Sequence, residues 1–550
     1  MNVSLRAQHS AVTTLRAITT SRFLILVPPL VLACAALIVA WQYDPLHRPL
    51  TEDPGIFAYL SQLVAFGLAP HKYAFNEQAS LTFLIGGAAM RLGDLFGLHP
   101  ILSFRFAAIL NFVAIALLTY FVTYGFTRSQ GMGFVAGAIL IGFEGLGMRA
   151  ATTLEPKAVM LVFGLAALVA LQKRKWGFAG ACAAAAGLAW QIAWGYLVVV
   201  LLLVFIQGGA NWKERTRATL GAIAFAFGVM ALYAAYFVAQ NAFNEMLAQT
   251  FLAPLLMHSA NKTFFAVRLA HLKNTFLLGY GSHAIFGILG VSGLLIWLAV
   301  QLRLWEPRQL LARARFYFFQ NHRTAGTLLV SCGFVFYSFL DFQNYPDWFP
   351  LLPYIALFAA WLLCKSCATA LRFLKASPST QRAVYFGFAC ILLVFSAAHA
   401  FFPKTLPGRQ QGITWQMQQD AADQVNALLP PDAKVWLIGK AELLFFMQRQ
   451  NLNKYIYLIG NVDAAIDYFE PNGFKGMVAR ALEQKPALLA LARLQPRKFA
   501  SRANLELINH VPDNWTGLHA CRALGSGKFF VAPDQADALL ASNRSSCLRR

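Results

Sequence analysis

The residues able to do chemistry in this chain are few, and they cluster in the short polar stretches that interrupt long apolar ones. The first is an acidic turn, Thr51-Glu52-Asp53-Pro54-Gly55, which follows the apolar stretch from Arg22 to Trp41. A carboxylate that close to a membrane exit is costly unless water, a cation or a substrate attends it. Asp53, with Glu52 adjacent, is therefore a candidate general base. A second stretch supplies Arg149, Glu155 and Lys157, and a third, near 241–275, supplies Glu245, His258, Lys262, Arg268, His271 and Lys273. A fourth reads Asp341-Phe342-Gln343-Asn344-Tyr345-Pro346-Asp347-Trp348. Carboxylates suit the removal of a hydroxyl proton as a bond forms. Cations suit the holding of a phosphate that departs with negative charge.

These residues need a scaffold, and composition says what kind. The 550-residue chain is 58% hydrophobic and 13% charged. Soluble proteins carry about 25% charged residues, so the chain is expected to be a polytopic α-helical membrane protein. Its net charge of +22 falls largely in short loops, which argues for the positive-inside rule and against a nucleic-acid partner. About eleven spans are expected from the length needed to cross a bilayer: 22–41, 101–126, 131–146, 157–172, 177–192, 194–210, 218–240, 276–302, 324–341, 349–364 and 384–402. Alternate loops hold Arg128, Lys173 to Lys175, Lys213 to Arg217, Arg303 to Arg323 and Lys365 to Arg382, and these are read as cytoplasmic.

That register requires the first external loop, about 42–100, not to cross. It reads as two interfacial segments, Ile56–Gly67 and Ser80–Phe96, around a polar patch of Pro70, His71, Lys72 and Tyr73. Arg91 and Asp94 are placed on a wetter face of the second segment. An odd number of spans then puts the N-terminus inside and the tail outside. Residues 1–402 form the membrane domain, and 403–550 read as an external α/β domain. Its expected elements are helices Thr414–Leu429 and Ala441–Arg449, a helix near Val478–Leu482, and strands Lys434–Ile438, Lys454–Ile459, Ala487–Leu491 and Phe529–Ala532. No GxGxxG follows the first strand, so dinucleotide binding is not expected. Cys521 and Cys547 are the tail's only cysteines, and a disulfide between them is one expectation for an oxidising compartment. Cys364-Lys365-Ser366-Cys367 has no second pair and is read as packing, not a zinc site.

The ordered set of short sequences carries a resemblance. One span is followed by Asp53-Pro54-Gly55, Ala58-Tyr59 and Gly67-Leu68-Ala69-Pro70. Leu154-Glu155-Pro156 then precedes an apolar span, and Tyr345-Pro346-x-Trp348 precedes Leu352-Pro353. The chain resembles the GT-C glycosyltransferases that use polyprenyl-phosphate sugars, such as protein O-mannosyltransferases and aminoarabinose transferases of lipid A. The resemblance implies a bacterial inner-membrane enzyme that moves a sugar to an acceptor hydroxyl on the periplasmic face, with inversion. It makes Asp53 the catalytic carboxylate and Glu155 the second-loop acid. Relatives with an acidic pair have the order Asp-Glu where this chain has Glu52-Asp53, so either acid can face the acceptor. Tyr73-Ala74-Phe75-Asn76-Glu77 replaces the family's proline-rich stretch, which leaves the acceptor open as a glycan, glycolipid or protein hydroxyl. Some relatives place a divalent cation between first- and second-loop acids, and Asp53 with Glu155 would be the ligands here.

Plainer readings stand beside these. Asp53 can serve as a helix cap and Glu155-Pro156 as a helix start. Lys262, Arg268 and Lys273 can hold a donor phosphate or merely contact lipid headgroups. His71, Lys72, Tyr73 and Tyr345 can be substrate contacts or interfacial anchors. A transporter of lipid-linked sugars, or a non-catalytic assembly protein, is the alternative function; against transport, the spans show almost no mid-membrane charge.

Overall fold

The computed structural model describes residues 26–258, 276, 279–340, 345–375, parts of 377–395, 412–458, 462–492, 515–524, 528–532 and 548–549. The first helices, in chain order, are α1 (Leu26–Gln42), α2 (Glu52–Ala65), α3 (Leu81–Asp94) and α4 (Pro100–Thr127). They are followed by α5 (Gln130–Ile141), α6 (Glu144–Thr152) and α7 (Pro156–Gln172). Among the described residues, four helices are long and apolar enough to cross a membrane, or five if α5 and α6 form one broken span. Four shorter apolar helices, α1, α7, Trp176–Ala189 and Gln191–Gln207, accompany them. These apolar helices fall on the expected spans.

Burial separates two kinds of span. Helix α4 hides 61% of its apolar window inside the protein, whereas Trp212–Ala239 hides 22% and shows the rest outward. In a protein with this composition the exposed apolar face is the one that meets lipid. Small residues set the close packing between helices. A Cβ at Gly180 would come within 2.2 Å of the Ala222 carbonyl oxygen, so the Ala- and Gly-rich helix Trp176–Ala189 lies directly against Trp212–Ala239.

Helices α2 and α3 match the two segments expected to lie in the interface. Each has 14 residues, about 21 Å at 1.5 Å per residue, the same length as the apolar helix Trp176–Ala189, so what sets α3 apart is the charge of Arg91 and Asp94 near its end. Arg91 and Asp94 are exposed, as expected. The expected span 131–146 is corrected: helix α5 ends at Ile141, and α6 leaves it at 77°. The bend follows from what α6 carries. Its mean apolarity is low, and Glu144 and Arg149 would be stranded in lipid if the helix ran straight on.

The C-terminal part carries a five-stranded mixed sheet in the order β1-β2-β4-β3-β5. The strands are β1 (Val435–Ile438), β2 (Leu488–Leu491), β3 (Thr516–Ala520), β4 (Lys528–Val531) and β5 (Leu548–Arg549). Strands β1 and β2 pair in parallel, Val435 opposite Leu488, and every residue in both is buried. That is why each reads as an unbroken apolar run with no alternation. Helices Trp415–Ala427, Ala441–Met447, Val462–Phe469 and Gly473–Glu483 complete this part. The expected strand Lys454–Ile459 is corrected within its described residues. Its backbone joins no ladder; the Lys454 carbonyl accepts from Phe75 N–H at 2.6 Å, and Ile456 from Gly439 N–H at 2.7 Å. Its β-rich composition serves an inter-domain contact. Strands β3 and β5 were not expected. Cys521 is disulfide-bonded; Cys547 lies outside the described residues.

The tail grips the first loop at several points. Gln418 brackets Leu50, accepting from its N–H at 2.7 Å and donating to its carbonyl at 2.8 Å. Trp415 donates through its backbone to His47 O at 3.0 Å. Gln62 donates to Phe445 O at 2.9 Å, and Asn451 N–H to the Tyr59 hydroxyl at 3.1 Å. The tail and the first loop thus lie on one side of the helical bundle.

Candidate active site

Asp53 sits in the first turn of α2, and the cap position belongs to Thr51, whose side chain makes no capping bond. The simple capping reading of Asp53 is therefore set aside: its carboxylate turns outward to a partner. Arg149 Nη1 donates to Asp53 Oδ2 at 3.2 Å and lies 3.7 Å from Glu155 Oε2. Arg149 Nε donates to the Tyr345 hydroxyl at 3.2 Å. One guanidinium fork thus gathers the first-loop acid, the second-loop acid and the late-loop tyrosine, a task suited to its fixed planar geometry.

Local sequence explains how Arg149 arrives there. Gly145 and Gly147 leave no room for a side chain: a Cβ at Gly145 would lie 2.5 Å from Gly279 O, and one at Gly147 2.6 Å from the Tyr43 ring. These close approaches seat α6 against Tyr43 and the Tyr345 segment. Glu155 is the N-cap of α7 with Pro156 behind it, and its side chain makes no capping bond. Two residues on, Lys157 pairs with Asp347 and lies 5.2 Å above the Trp190 ring. Tyr280 donates to Tyr345 O at 2.7 Å and holds that segment in place.

Exposure divides the acids by task. The Asp53 side chain is 42% exposed, whereas Glu155 is 5% and Arg149 15% exposed. Glu155 lies in the connection between α6 and α7. Burial pushes its carboxyl pKa up, against the pull of Arg149 and Lys157, while Asp53 and Asp347 push it further up. Asp53 is the acid that a substrate can reach. Glu52 beside it has a φ of +48°, a left-handed value that costs a non-glycine residue about 1–3 kcal/mol and is commonest at functional sites. It lines a cavity that Asp53 does not line.

The other expected contacts are spread out. His71 is fully buried, with Nε2 2.7 Å from Ser80 Oγ and Nδ1 3.3 Å from Gln249 Oε1. Burial lowers its pKa to about 4, partly offset by Gln249, so the ring is neutral and braces the loop. Lys72 is exposed and donates to Gln240 O at 3.4 Å, and Tyr73 is half-buried beneath it. Lys262, Arg268 and Lys273 lie outside the described residues. Two arginines were given no role in the sequence reading. Arg149 was visible there as a loop residue. Arg105 carried a plainer signal, a cation inside an apolar span.

The residues as placed do not fit a divalent ion bridging Asp53 and Glu155. Arg149 Nη1 stands between those two carboxylates, and among the described residues no group of three or more His, Cys, Asp or Glu could hold a metal.

The site and fold define a helical membrane scaffold with an acidic turn after its first helix and an α/β tail folded over that turn. No protein-family model matches the chain, and no curated protein matches it. Among solved structures, it is similar to ArnT from Cupriavidus metallidurans bound to undecaprenyl phosphate, with a TM-score of 0.52 and 13% identity. That alignment covers 93% of this chain and 98% of ArnT. The apo state of the same ArnT aligns over 94% and 99%, with a TM-score of 0.51 and 12% identity. An oligosaccharyltransferase of Archaeoglobus fulgidus, in complex with Zn and sulfate, aligns over 83% of this chain and 67% of its own length, at TM-score 0.44 and 12% identity. The chain shares the fold of ArnT, and the GT-C resemblance read from the sequence holds at the level of fold.

Proposed function

We propose that this chain is a membrane glycosyltransferase that moves a sugar from a polyprenyl-phosphate donor to an acceptor hydroxyl. The observation that carries the reading is the reachable Asp53 carboxylate, oriented by Arg149 at the start of α2 in a fold shared with ArnT. ArnT was solved with undecaprenyl phosphate, which supports a polyprenyl-phosphate donor here. Arg149 engages Oδ2, which leaves Oδ1 to take the acceptor's proton. The acceptor oxygen attacks the anomeric carbon as its O–H bond breaks. The bond from that carbon to the phosphate oxygen breaks in the same step, and the polyprenyl phosphate leaves with the electron pair. Direct displacement inverts the anomeric configuration.

Glu155 and Tyr345 hold Arg149 in position, and Lys262, Arg268 and Lys273 are the first candidates to hold the leaving phosphate. The basic residues of the alternate loops support a site and tail on the periplasmic side of a bacterial inner membrane. Contacts between the tail and the first loop support that shared side. A general base contributes about 10²–10⁴-fold to rate, so Asp53→Asn should lose product to that extent with expression intact. The test is mass spectrometry of envelope lipids, glycans and proteins from wild-type, Asp53→Asn and deletion cells. One sugar missing from one acceptor in both mutants supports the enzyme and names its substrates. Product retained in Asp53→Asn would refute this base and bring Glu52 or a transport role forward.

A further inference from the structure

Helix α7 begins beside the site at Pro156 and runs for 17 residues, about 25 Å at 1.5 Å per residue, before the turn that holds Arg174. At that far end, away from Asp53 and the tail, lies a groove of about 820 Å³. Three arginines line it: Arg174, Arg215 in the first turn of helix Trp212–Ala239, and Arg315 at the end of helix Pro307–Arg315. No acidic residue lines it. Arg174 and Arg315 are exposed and Arg215 is half-buried, so their donors are open to solvent. Arg215 Nε donates to Gly209 O at 3.1 Å, and none of the three forms an ion pair among the described residues. The acids nearest in sequence are engaged elsewhere. Glu214 accepts from Ala210 N at 2.8 Å and from Asn211 Nδ2 at 2.9 Å, and Glu306 pairs with Arg303 at 3.1 Å. Three cations gathered on one groove repel each other until an anion answers them.

Neighbouring residues set the depth of this groove in a bilayer. Trp212, three residues before Arg215, and Trp305, two before helix Pro307–Arg315, are both exposed, as indoles are at the boundary between hydrocarbon and headgroups. Helix Pro307–Arg315 carries three arginines yet leaves Leu311 83% exposed, the pattern of a helix lying in that boundary. Leu311, Phe318 and Phe319 give the groove an apolar wall beside its cationic one. We propose that the groove binds an anionic phospholipid of the leaflet facing away from the tail. Its phosphate sits among Arg174, Arg215 and Arg315, and its acyl chains run along Leu311, Phe318 and Phe319. A soluble anion would answer the cations but leave the apolar wall unused. A zwitterionic lipid would bring an ammonium into a site that already holds three cations. The proposal needs only that the chain lies in a membrane, so it stands apart from the transferase reading.

The test titrates full-length protein in neutral detergent with phosphatidylglycerol, phosphatidylcholine or inorganic phosphate, and counts bound molecules by native mass spectrometry. Phosphatidylglycerol should bind saturably, at least tenfold tighter than either other probe. Combining Arg174→Gln, Arg215→Gln and Arg315→Gln should weaken it at least tenfold. Combining Lys365→Gln, Arg372→Gln and Lys375→Gln removes as much charge from exposed residues outside the groove and should change binding less than twofold. Arg215→Gln alone, expected to weaken binding several-fold at an unchanged melting temperature, serves if the triple variant does not fold. Equal losses in the two triple variants would overturn the groove in favour of diffuse surface charge. Phosphatidylcholine bound as tightly as phosphatidylglycerol would overturn the role of the arginines. Inorganic phosphate bound as tightly, or displacing the lipid, would overturn the lipid in favour of a soluble anion.

Discussion

Replacing Arg149 with methionine tests the site's electrostatics directly. The substitution keeps much of the side chain's length and apolar stem and deletes the fork that serves Asp53, Glu155 and Tyr345. Glu155 would suffer most, because it is 5% exposed and Arg149 is its strongest favourable charge. At 3.7 Å, a unit pair in a medium of effective dielectric about 20 interacts by about 4 kcal/mol, in line with the 3–5 kcal/mol measured when one partner of a buried pair is removed. Asp53, 42% exposed, is screened by solvent and adds at most about 1 kcal/mol. The cost has a pH sign. A carboxyl whose pKa is raised by folding is tolerated best when neutral, and its burden grows as pH rises from the unfolded value through the folded one. Without Arg149 that window moves upward, so the deficit of Arg149→Met should grow as pH is raised from 5 to 8, toward about 4 kcal/mol once Glu155 is ionised in both proteins. Thermal or denaturant unfolding of the detergent-solubilised protein across that range reads it out. Adding Glu155→Gln should restore most of the loss. If the deficit were flat with pH, or the double variant no more stable than the single, charge compensation would not be Arg149's structural role.

Other substitutions probe the scaffold. Lys157→Met removes the ammonium paired with Asp347, which is 9% exposed, and should cost up to about 3–5 kcal/mol, most of it recovered by Lys157→Met with Asp347→Asn in an unfolding assay. Gly145→Ala puts a methyl 2.5 Å from a backbone oxygen, so α6 must shift; product formation should fall more than tenfold with the fold retained, measured by transfer assay and circular dichroism. Gln62→Ala removes a buried donor to Phe445 O and should cost about 1–3 kcal/mol locally, seen as faster proteolytic release of the tail.

Much of this molecule could be read before any coordinates. Scarcity of charge made it a membrane protein, the length of its apolar runs placed the helices, and the acidic turn after the first run marked the candidate site. Helices α2 and α3 were legible as two separate short segments flanking the polar patch. Strands β1 and β2 were visible as apolar runs. Reading failed where a segment's role depends on a distant partner. Residues 454–458 have strand-like composition but give their carbonyls to Phe75 and Gly439, so the ladder expected there is missing. The 131–146 stretch is apolar enough for one span, and the bend at Gly142 and Phe143 reflects where Arg149 is needed.

Sequence alone determined the residue types and the faces available to them, because hydrophobic burial and helix length are local or periodic properties. Only the tertiary structure decided which charges meet. Asp53, Arg149, Glu155 and Tyr345 stand far apart in the chain and come together through the glycine contacts of α6 and the tail's hold on residues 46–50. Pairing of charges depends on distances of a few ångströms and on the shielding that burial provides, and neither quantity is written along a one-dimensional chain.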